Sequence, residues 1–181
     1  MQQLAIEPIT EPIAPTDEEA TFADTEIIVS KTDLKGHLTY VNKVFMDISG
    51  YVEGELLGQP HNIIRHPEMP RTVFKYLWDS IGSGREIFAY VKNMTKSGGY
   101  YWVFAHVTPT FGATGEIVGY HSNRRTPDTD ALKRIKPLYQ ALLEEENRSA
   151  NRKDGLTAGI NLLEETLKAE NLAYDEFIFS L

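Results

Sequence analysis

The hydrophobic and polar positions along the chain change period several times, and each change predicts a structural element. Residues 26–41 hold two short β-branched or alternating runs on either side of a turn sequence at 33–36, which predicts a β-hairpin. Residues 43–48 then place apolar side chains on one side of a short helical turn. The chain therefore opens its ordered part with a strand pair followed by a helix.

A longer helix and three more strands follow. Pro70 stands where a helix tolerates proline, in its first turn, and glycines at 82 and 84 end the helical pattern. The apolar residues in between recur at helical spacing: Val73, Phe74, Leu77, Trp78 and Ile81. Three alternating runs separated by glycine-containing turns predict strands at 87–94, 100–110 and 117–125. The pattern predicts an α+β fold, with a five-stranded antiparallel sheet, short helices on one face and a pocket between them.

The two ends of the chain differ from this central part. Residues 1–24 are acidic and proline-containing, and predict either a flexible arm or a short helix over 16–22 capped by Thr16. Residues 25–127 form the predicted domain. Residues 128–181 predict a C-terminal helical extension, a hairpin of two amphipathic helices followed by a docked aromatic tail.

Three details of the extension are expected from its sequence. Pro137 should kink or divide the first helix. The charged stretch 144–153 should interrupt the apolar pattern, and Asp154 should cap the second helix. The apolar stripes could cover the sheet, pack on each other or form a subunit interface, and we expect a homodimer.

Composition excludes several classes of function. The chain of 181 residues has 26 acidic and 18 basic residues and a net charge of −8, so we expect no nucleic-acid binding. The absence of cysteine excludes a thiolate metal site, a cysteine nucleophile and a light-driven cysteine adduct. No leader and no long apolar run is apparent, so we expect a cytoplasmic protein without membrane insertion. No catalytic motif stands out, so we expect neither an enzyme nor catalytic residues.

The segment from Ser49 to Pro70 is the first candidate for ligand binding. It combines helix breakers, an aromatic residue and the basic pair Arg65 and His66 in one long connection. Irregular connections of this length inside a domain commonly bind ligands. We therefore interpret this segment as a binding loop.

Several short motifs together resemble a known family. They are Tyr40-Val41-Asn42, Ser49-Gly50-Tyr51, Glu55-Leu56-Leu57-Gly58, Arg65-His66-Pro67-Glu68-Met69-Pro70, Val91-Lys92-Asn93 and Tyr101-Trp102. Over roughly residues 25–126 the chain resembles a PAS sensor domain, and among these it is most similar to the FAD-binding PAS domains of bacterial aerotaxis receptors. The sequence departs from that group at Glu68, where the group has aspartate, and at Ile87, where the group has tryptophan.

The resemblance implies a function. In that group the PAS domain binds FAD noncovalently, and the redox state of the flavin reports oxygen or electron transport to a chemotaxis pathway. We accordingly expect a redox- or oxygen-sensing flavoprotein that signals to a partner such as a chemoreceptor or a histidine kinase. The chain lacks a counterpart of the receptor's membrane anchor, HAMP element and coiled coil, so we do not expect a complete transmembrane chemoreceptor.

Seven residues are the candidate cofactor ligands. A flavin ring needs a flat apolar slot and a few amide-type groups at its polar edge, which Asn42 and Asn93 could supply because an amide both donates and accepts. Arg65 and His66 could meet the diphosphate. The aromatic candidates are Phe74, Trp78 and Trp102. Each has an ordinary structural alternative: an Asx turn for Asn42, a surface ion pair with Glu68 for Arg65, and plain core packing for the aromatics.

Two other functions remain open from the sequence. The chain has 5 histidines, and a PAS domain can hold heme through an axial histidine, for which His61 or His66 would be the ligand. No histidine lies on the predicted helix 71–81, which weighs against heme, and no other metal site is predicted. A cofactor-free module that acts as an interaction or dimerisation adaptor is the second alternative.

Overall fold

The computed structural model describes residues 13–181, and its centre is a five-stranded antiparallel sheet. The strands are β1 (Ile28–Thr32), β2 (Leu38–Val41), β3 (Ile87–Met94), β4 (Tyr100–Phe111) and β5 (Ile117–Arg125), in the order β2-β1-β5-β4-β3. The helices are α1 (Lys43–Ser49), α2 (Glu53–Leu56), α3 (Arg71–Gly82), α4 (Thr129–Arg148), α5 (Arg152–Glu170) and α6 (Tyr174–Ser180), with a 3-10 turn at His61–Ile64. The predicted fold class is confirmed.

The strand register assigns side chains to two faces of the sheet. Asn93 pairs with Tyr101 and Val91 with Val103, whereas Lys92 between them pairs with Trp102. Because successive side chains alternate between faces, the first two pairs lie on the inner face, toward α3, and the third lies on the outer face. The inner face is where a pocket can form.

The extension covers the outer face and also reaches α3. Tyr139 of α4 donates a hydrogen bond from its hydroxyl to the Tyr90 carbonyl oxygen at 2.8 Å, and its ring stacks on Trp102 with centroids 6.3 Å apart. In α6, Phe179 packs its ring against Phe88. Helix α5 packs against both α4 and α3. The whole extension, residues 128–181, is called the tail below. It folds back on the domain, and its aromatic end is docked.

Helix α4 is not divided at Pro137, and the N-cap expected for the second helix is wrong. Helix α4 continues through Pro137 and through the charged residues 144–146, ending at Arg148. The break between α4 and α5 falls at residues 149–151, inside the predicted charged stretch, and the acids before it, including the buried Glu146, belong to α4. Helix α5 is capped by Asn151, whose side chain accepts from the amides of Lys153 and Asp154. Asp154 itself lies in the first turn of α5, where the helix dipole also favours a negative charge.

The N-terminal segment that the structure describes, residues 13–24, is neither a helix nor detached. Tyr100 donates its amide to the Glu18 carbonyl oxygen at 2.8 Å, and Ala20 donates to the Tyr100 carbonyl oxygen at 2.7 Å. This short parallel contact occupies the side of β4 that β5 leaves open before Phe104. The predicted helix over 16–22 is therefore wrong, because unpaired strand groups bind this backbone instead. Residues 1–12 lie outside the described part.

Candidate functional site

A cavity of about 340 Å³ lies between the inner face of the sheet and α3. One wall is apolar and consists of Phe74, Leu77, Trp78, Ile81, Val91, Ala105 and Val107. The polar side chains at the lining include Ser30, Thr32, His61, Asn62, Arg65, Asn93, Ser122 and Arg124. A mostly apolar slot with a few converging polar groups is typical of a site for a small organic ligand.

Arg124 provides a buried positive charge at this cavity. Its side chain is 5% exposed, and its Nη2 donates to the Ser30 hydroxyl at 3.1 Å and to His61 Nε2 at 2.5 Å. Within residues 13–181 Arg124 forms no ion pair with a carboxylate. Burial lowers the pKa of Arg124 to about 10, so the guanidinium stays charged at neutral pH.

His61 faces this cation as a neutral ring. Burial and, second, the charge of Arg124 lower the pKa of His61 to about 3. Nε2 lies against the donating Nη2 of Arg124, so we assign the ring proton to Nδ1 and acceptor character to Nε2. His61 therefore accepts a hydrogen bond from Arg124 and leaves its charge unneutralised.

Several buried polar atoms at the cavity have no partner in the described protein. They are Asn93 Nδ2, Ser122 Oγ, Arg124 Nη1 and Thr32 Oγ1. Buried polar groups in native proteins are almost always hydrogen-bonded, because desolvating one without a partner is costly. All four atoms can donate a hydrogen bond, and one of them belongs to the Arg124 cation, so the cavity suits a ligand with hydrogen-bond acceptors or negative charge on one edge.

Four of the seven candidate residues line the cavity: Arg65, Phe74, Trp78 and Asn93. The Arg65 guanidinium lies 4.3 Å from the centroid of the Phe74 ring, and its Nη2 donates to the Met69 carbonyl oxygen at 2.9 Å. Burial lowers the pKa of Arg65, with the opposing charge of Glu146 as the next influence. An isolated backbone bridge joins Arg65 to Asn93, which brings the predicted loop and strand together.

Trp78 forms part of the rim of the cavity. Its side chain is packed over the turn between β1 and β2, where a Cβ added to Gly36 would lie 2.8 Å from the indole. Gly36 also has a φ of 82°, a conformation that side chains other than glycine's rarely adopt. The indole meets the Tyr120 ring edge-on at 5.6 Å. The glycine thus allows the tryptophan to lie close to the turn.

The other three candidates lie away from the cavity lining. Asn42 is the N-cap of α1: its Oδ1 accepts from the amides of Phe45 and Val29, each at 3.0 Å, and its Nδ2 donates to the Ile27 carbonyl oxygen. Asn42 therefore has the local structural role that was its alternative, in which its side chain binds nearby backbone groups. Trp102 lies on the outer face, under Tyr139.

His66 is buried beside the cavity-forming loop but points elsewhere. Its Nδ1 accepts from the Glu68 amide at 3.2 Å, and its ring meets that of Tyr100 edge-on. Burial and the nearby Lys92 lower its pKa, so the ring carries no charge to offer an anion at neutral pH. Glu68 pairs with Lys92 at 2.6 Å, leaving Arg65 without the surface ion pair that was its alternative.

The sequence reasoning missed Arg124, Ser122 and Ser30. One signal was available: in β5 the residues Tyr120, Ser122 and Arg124 alternate with their neighbours and share one face. Because Arg124 lies on the same face of β5 as Tyr120 and Ser122, the alternation predicts a buried cation there. What the pattern could not indicate is that Ser30 and His61 lie beside Arg124, since these contacts join distant parts of the chain.

Residues 13–181 contain no group of three or more His, Cys, Asp or Glu side chains that could hold a metal ion. Among the same residues no helix combines the length and the apolar character that crossing a bilayer requires.

The sequence of the chain is similar to parts of two bacterial regulatory or sensory proteins. Over 127 residues the chain is 39% identical to the aerotaxis receptor of Escherichia coli K12, an alignment that covers 70% of this chain and 25% of the receptor. It is 26% identical over 99 residues to a nitrogen fixation regulatory protein of Klebsiella pneumoniae, covering 55% of this chain and 20% of that protein. The chain therefore matches no more than about a quarter of the length of these relatives.

A solved structure and a family profile point the same way. The dark structure of the blue-light photoreceptor Aureochrome1 LOV superposes with a TM-score of 0.54 at 23% identity, covering 60% of this chain and 80% of the other. At this identity the likeness concerns the fold alone. The profile described as "PAS fold" matches residues 38–124, which hold β2 to β5, α3 and most of the cavity lining. The chain therefore contains a PAS domain that includes residues 38–124, and the sheet and helices of this domain enclose the cavity.

Proposed function

We propose that the protein binds FAD noncovalently in the cavity and acts as a redox- or oxygen-sensing flavoprotein. The observation that carries this proposal is Arg124, a buried cation without a carboxylate partner in the described chain, next to unpartnered donors of Asn93 and Ser122. An isoalloxazine ring has apolar faces and one edge rich in acceptors, and it gains negative charge on reduction. The apolar wall and the polar end of the cavity match these two parts.

Different residues of the cavity could bind different parts of the flavin. Phe74 and Val91 can sandwich a flat ring, because they approach the cavity from α3 and from the sheet. Asn93 keeps a free Nδ2 donor and an amide oxygen, so it can bond a ring nitrogen in either protonation state. Arg65 can meet a phosphate group with the guanidinium edge that does not bind Met69. A bound flavin supplies the one- and two-electron chemistry that the side chains lack.

The signalling role rests on similarity to a receptor. The relative with 39% identity is named an aerotaxis receptor, so we infer that this protein passes redox information to a signalling partner such as a chemoreceptor or a histidine kinase, in a cytoplasmic setting and as a homodimer. The flavin would be the sensor, and the protein would carry no catalytic activity of its own.

A heme function is less well supported by the geometry. An axial ligand needs a ring nitrogen that faces the cavity freely. His61 directs Nε2 at Arg124 and Ser30, and His66 does not line the cavity. A positive charge beside the cavity also fits an anionic or acceptor-rich edge better than an iron centre.

The colour and the released cofactor of the purified protein test the proposal. We expect a yellow protein with flavin absorption, and heat-released cofactor that comigrates with FAD. A Soret band would indicate heme, and a colourless protein that takes up no flavin on titration would indicate an adaptor. Either of these, or recovery of FMN alone, would contradict the proposal.

A further inference from the structure

Glu146 links the C-terminal extension to the helix that lines the cavity. It lies in the last turn of α4, and its side chain is 1% exposed. Oε1 accepts from the Thr72 amide at 2.7 Å and from the Thr72 hydroxyl at 2.8 Å, while Oε2 accepts from the Arg71 amide at 3.0 Å and from Arg71 Nε at 2.9 Å. A carboxylate from the tail thus caps the first turn of α3.

Helix α3 has no cap of its own. The residue at its N-cap position is Pro70, whose side chain makes no hydrogen bond. The first amides of a helix have no partner inside the helix, and a negative charge next to them is favourable. Glu146 therefore satisfies groups of α3 that the PAS domain leaves open, and it does so from 74 residues further along the chain.

Two glycines of α5 complete this contact. A Cβ added to Gly155 would collide with the Glu146 carbonyl oxygen, and one added to Gly159 would collide with the Thr72 hydroxyl. Glycine inside a helix weakens it relative to alanine, so two of them one turn apart at this contact are explained by the close approach of α5. Arg71 closes the contact by donating Nη1 to the Arg152 carbonyl oxygen at 2.7 Å.

The contact continues to the cavity. Helix α3 carries the cavity side chains Phe74 and Trp78, and Phe74 packs under Arg65, which bonds the Met69 carbonyl oxygen just before α3 begins. A shift at the start of α3 would therefore move both the apolar wall and the arginine.

From these contacts we propose that Glu146 is a positioning residue, and that docking of the α4–α5 hairpin and ligand binding in the cavity are coupled through α3. The proposal rests on the proposed function and specifies its regulation. By reciprocity, a ligand that favours one position of α3 stabilises the docked tail by the same factor by which the docked tail strengthens ligand binding. The tail is then a reporter of cavity occupancy.

The first experiment needs no cofactor. In flavin-free full-length protein, Glu146→Ala should speed hydrogen exchange in the first turns of α3 and tryptic cleavage after Arg148 and Arg152 by about tenfold, within the usual range of coupling. Glu144→Ala is the matched control, because Glu144 is exposed on the same helix and bonds only Gln140. Exchange and cleavage equal to the wild type would overturn the proposal.

A second pair of variants tests the close approach. Gly159→Ala should loosen α5 in the same assays, because the added methyl group meets Thr72 and Glu146. Gly82→Ala is its control, since a Cβ there has nothing within 4 Å. If both alanine variants behave alike, the glycines serve no close contact.

The third experiment titrates FAD. Wild-type protein should bind FAD about tenfold more tightly than Glu146→Ala, and Glu146→Gln should lie between them because its amide oxygen can still accept from Thr72. FAD should slow exchange in α5 of the wild type, whereas in Glu146→Ala it should slow exchange around Asn93 only. Loss of overall stability alone would not produce this difference between segments.

The outcomes separate the two proposals. Equal FAD affinity in a variant whose tail is loosened would overturn the coupling while leaving flavin binding intact. If the wild type takes up no FAD, the proposed function fails, and the exchange and cleavage results alone decide whether Glu146 positions α3.

Discussion

Arg124 is the residue on which the electrostatics of the cavity depend. It is a buried guanidinium whose Nη1 has no partner in the described chain and whose Nη2 bonds only neutral groups. Such a group destabilises the empty protein, because its desolvation is not repaid by an opposite charge. It can stabilise a ligand that carries or gains negative charge.

Arg124→Met should therefore have two effects of opposite sign. The empty protein should become more stable in urea unfolding, since an apolar side chain of similar length replaces an uncompensated charge. The midpoint potential of bound flavin should fall by about 30 mV or more, which for a two-electron couple corresponds to about 1.4 kcal/mol. Arg125→Met, at the exposed neighbour, is the control. An unchanged potential would show that Arg124 does not act on the flavin.

His61 should make stability depend on pH. Burial lowers its pKa from the ordinary value of 6.5 to about 3 in the folded protein, so the unfolded chain binds more protons between these two pH values. Stability is then fully present above pH 6.5 and is lost as pH falls toward 3, with a slope of at most about 1.4 kcal/mol per pH unit.

Urea unfolding between pH 7 and pH 5 measures this slope while most carboxylates stay ionised. His61→Gln should flatten the dependence, because glutamine keeps an acceptor for Arg124 but does not titrate. His66, whose pKa is also lowered by burial, contributes with the same sign, and His66→Gln serves as the comparison. Parallel curves for the wild type and His61→Gln would contradict the assigned neutral ring.

Asn42 should matter for folding and not for the cofactor. Asn42→Ala removes the N-cap of α1 and the partner of the Val29 amide, so we expect a loss of about 2 kcal/mol in the free energy of unfolding. The FAD dissociation constant of the folded protein should stay as in the wild type. Asn147→Ala, at an exposed site, is the control. Loss of FAD affinity without loss of stability would mean that Asn42 contributes to cofactor binding.

Among the elements, α4 shows a local cost that tertiary packing overrides. Pro137 lies inside this helix on its exposed side, where it leaves the Lys133 carbonyl oxygen without its usual amide donor. The helix nevertheless continues, because Ile135, Tyr139 and Leu142 on its other side are buried against the domain. Burial of such side chains contributes more than one lost hydrogen bond costs.

Pro137→Ala should accordingly stabilise the protein. We expect a gain of about 1–3 kcal/mol, with the full penalty of proline inside a helix as the upper bound. Thermal or urea unfolding measures the gain, and Lys133→Ala, one turn earlier on the same exposed face, is the control. A decrease in stability would mean that proline at this position contributes to the docking of α4.

For the molecule as a whole, we expect flavin reduction to reach the tail as a small shift between two arrangements. A changed hydrogen bond at Asn93 amounts to a few kcal/mol at most, enough to move a balanced equilibrium but not to remodel the fold. Hydrogen exchange of oxidised and dithionite-reduced protein should differ in β5 and over residues 132–143. Identical exchange in both segments would mean that the flavin's state stays local.

Much of this architecture could be read from local patterns. The strands β3 and β5 and the helix α3 lie within one residue of their predicted bounds, because side-chain period, proline and glycine act over a few neighbouring residues. Asn93 was predicted from its amide chemistry and Phe74 from its place on the helix, and both line the cavity. Trp102 was expected to face the pocket but lies on the outer face. Its partner Lys92 is the direct neighbour of the inward-facing Asn93, so the alternation along the strand places both Lys92 and Trp102 on the outer face.

Long-range contacts had no such local signal. Arg124 meets Ser30 from 94 residues away, and Ser30 meets His61 across 31 residues, so the polar end of the cavity exists only after β1, β5 and the 3-10 turn have come together. Glu146 resembled one more acid in a charged run until the packing of α4 against α3 buried it. Local sequence specifies which elements form, since their energetics are local. The register of the strands and the crossing of the helices determine which charges are buried and what they face.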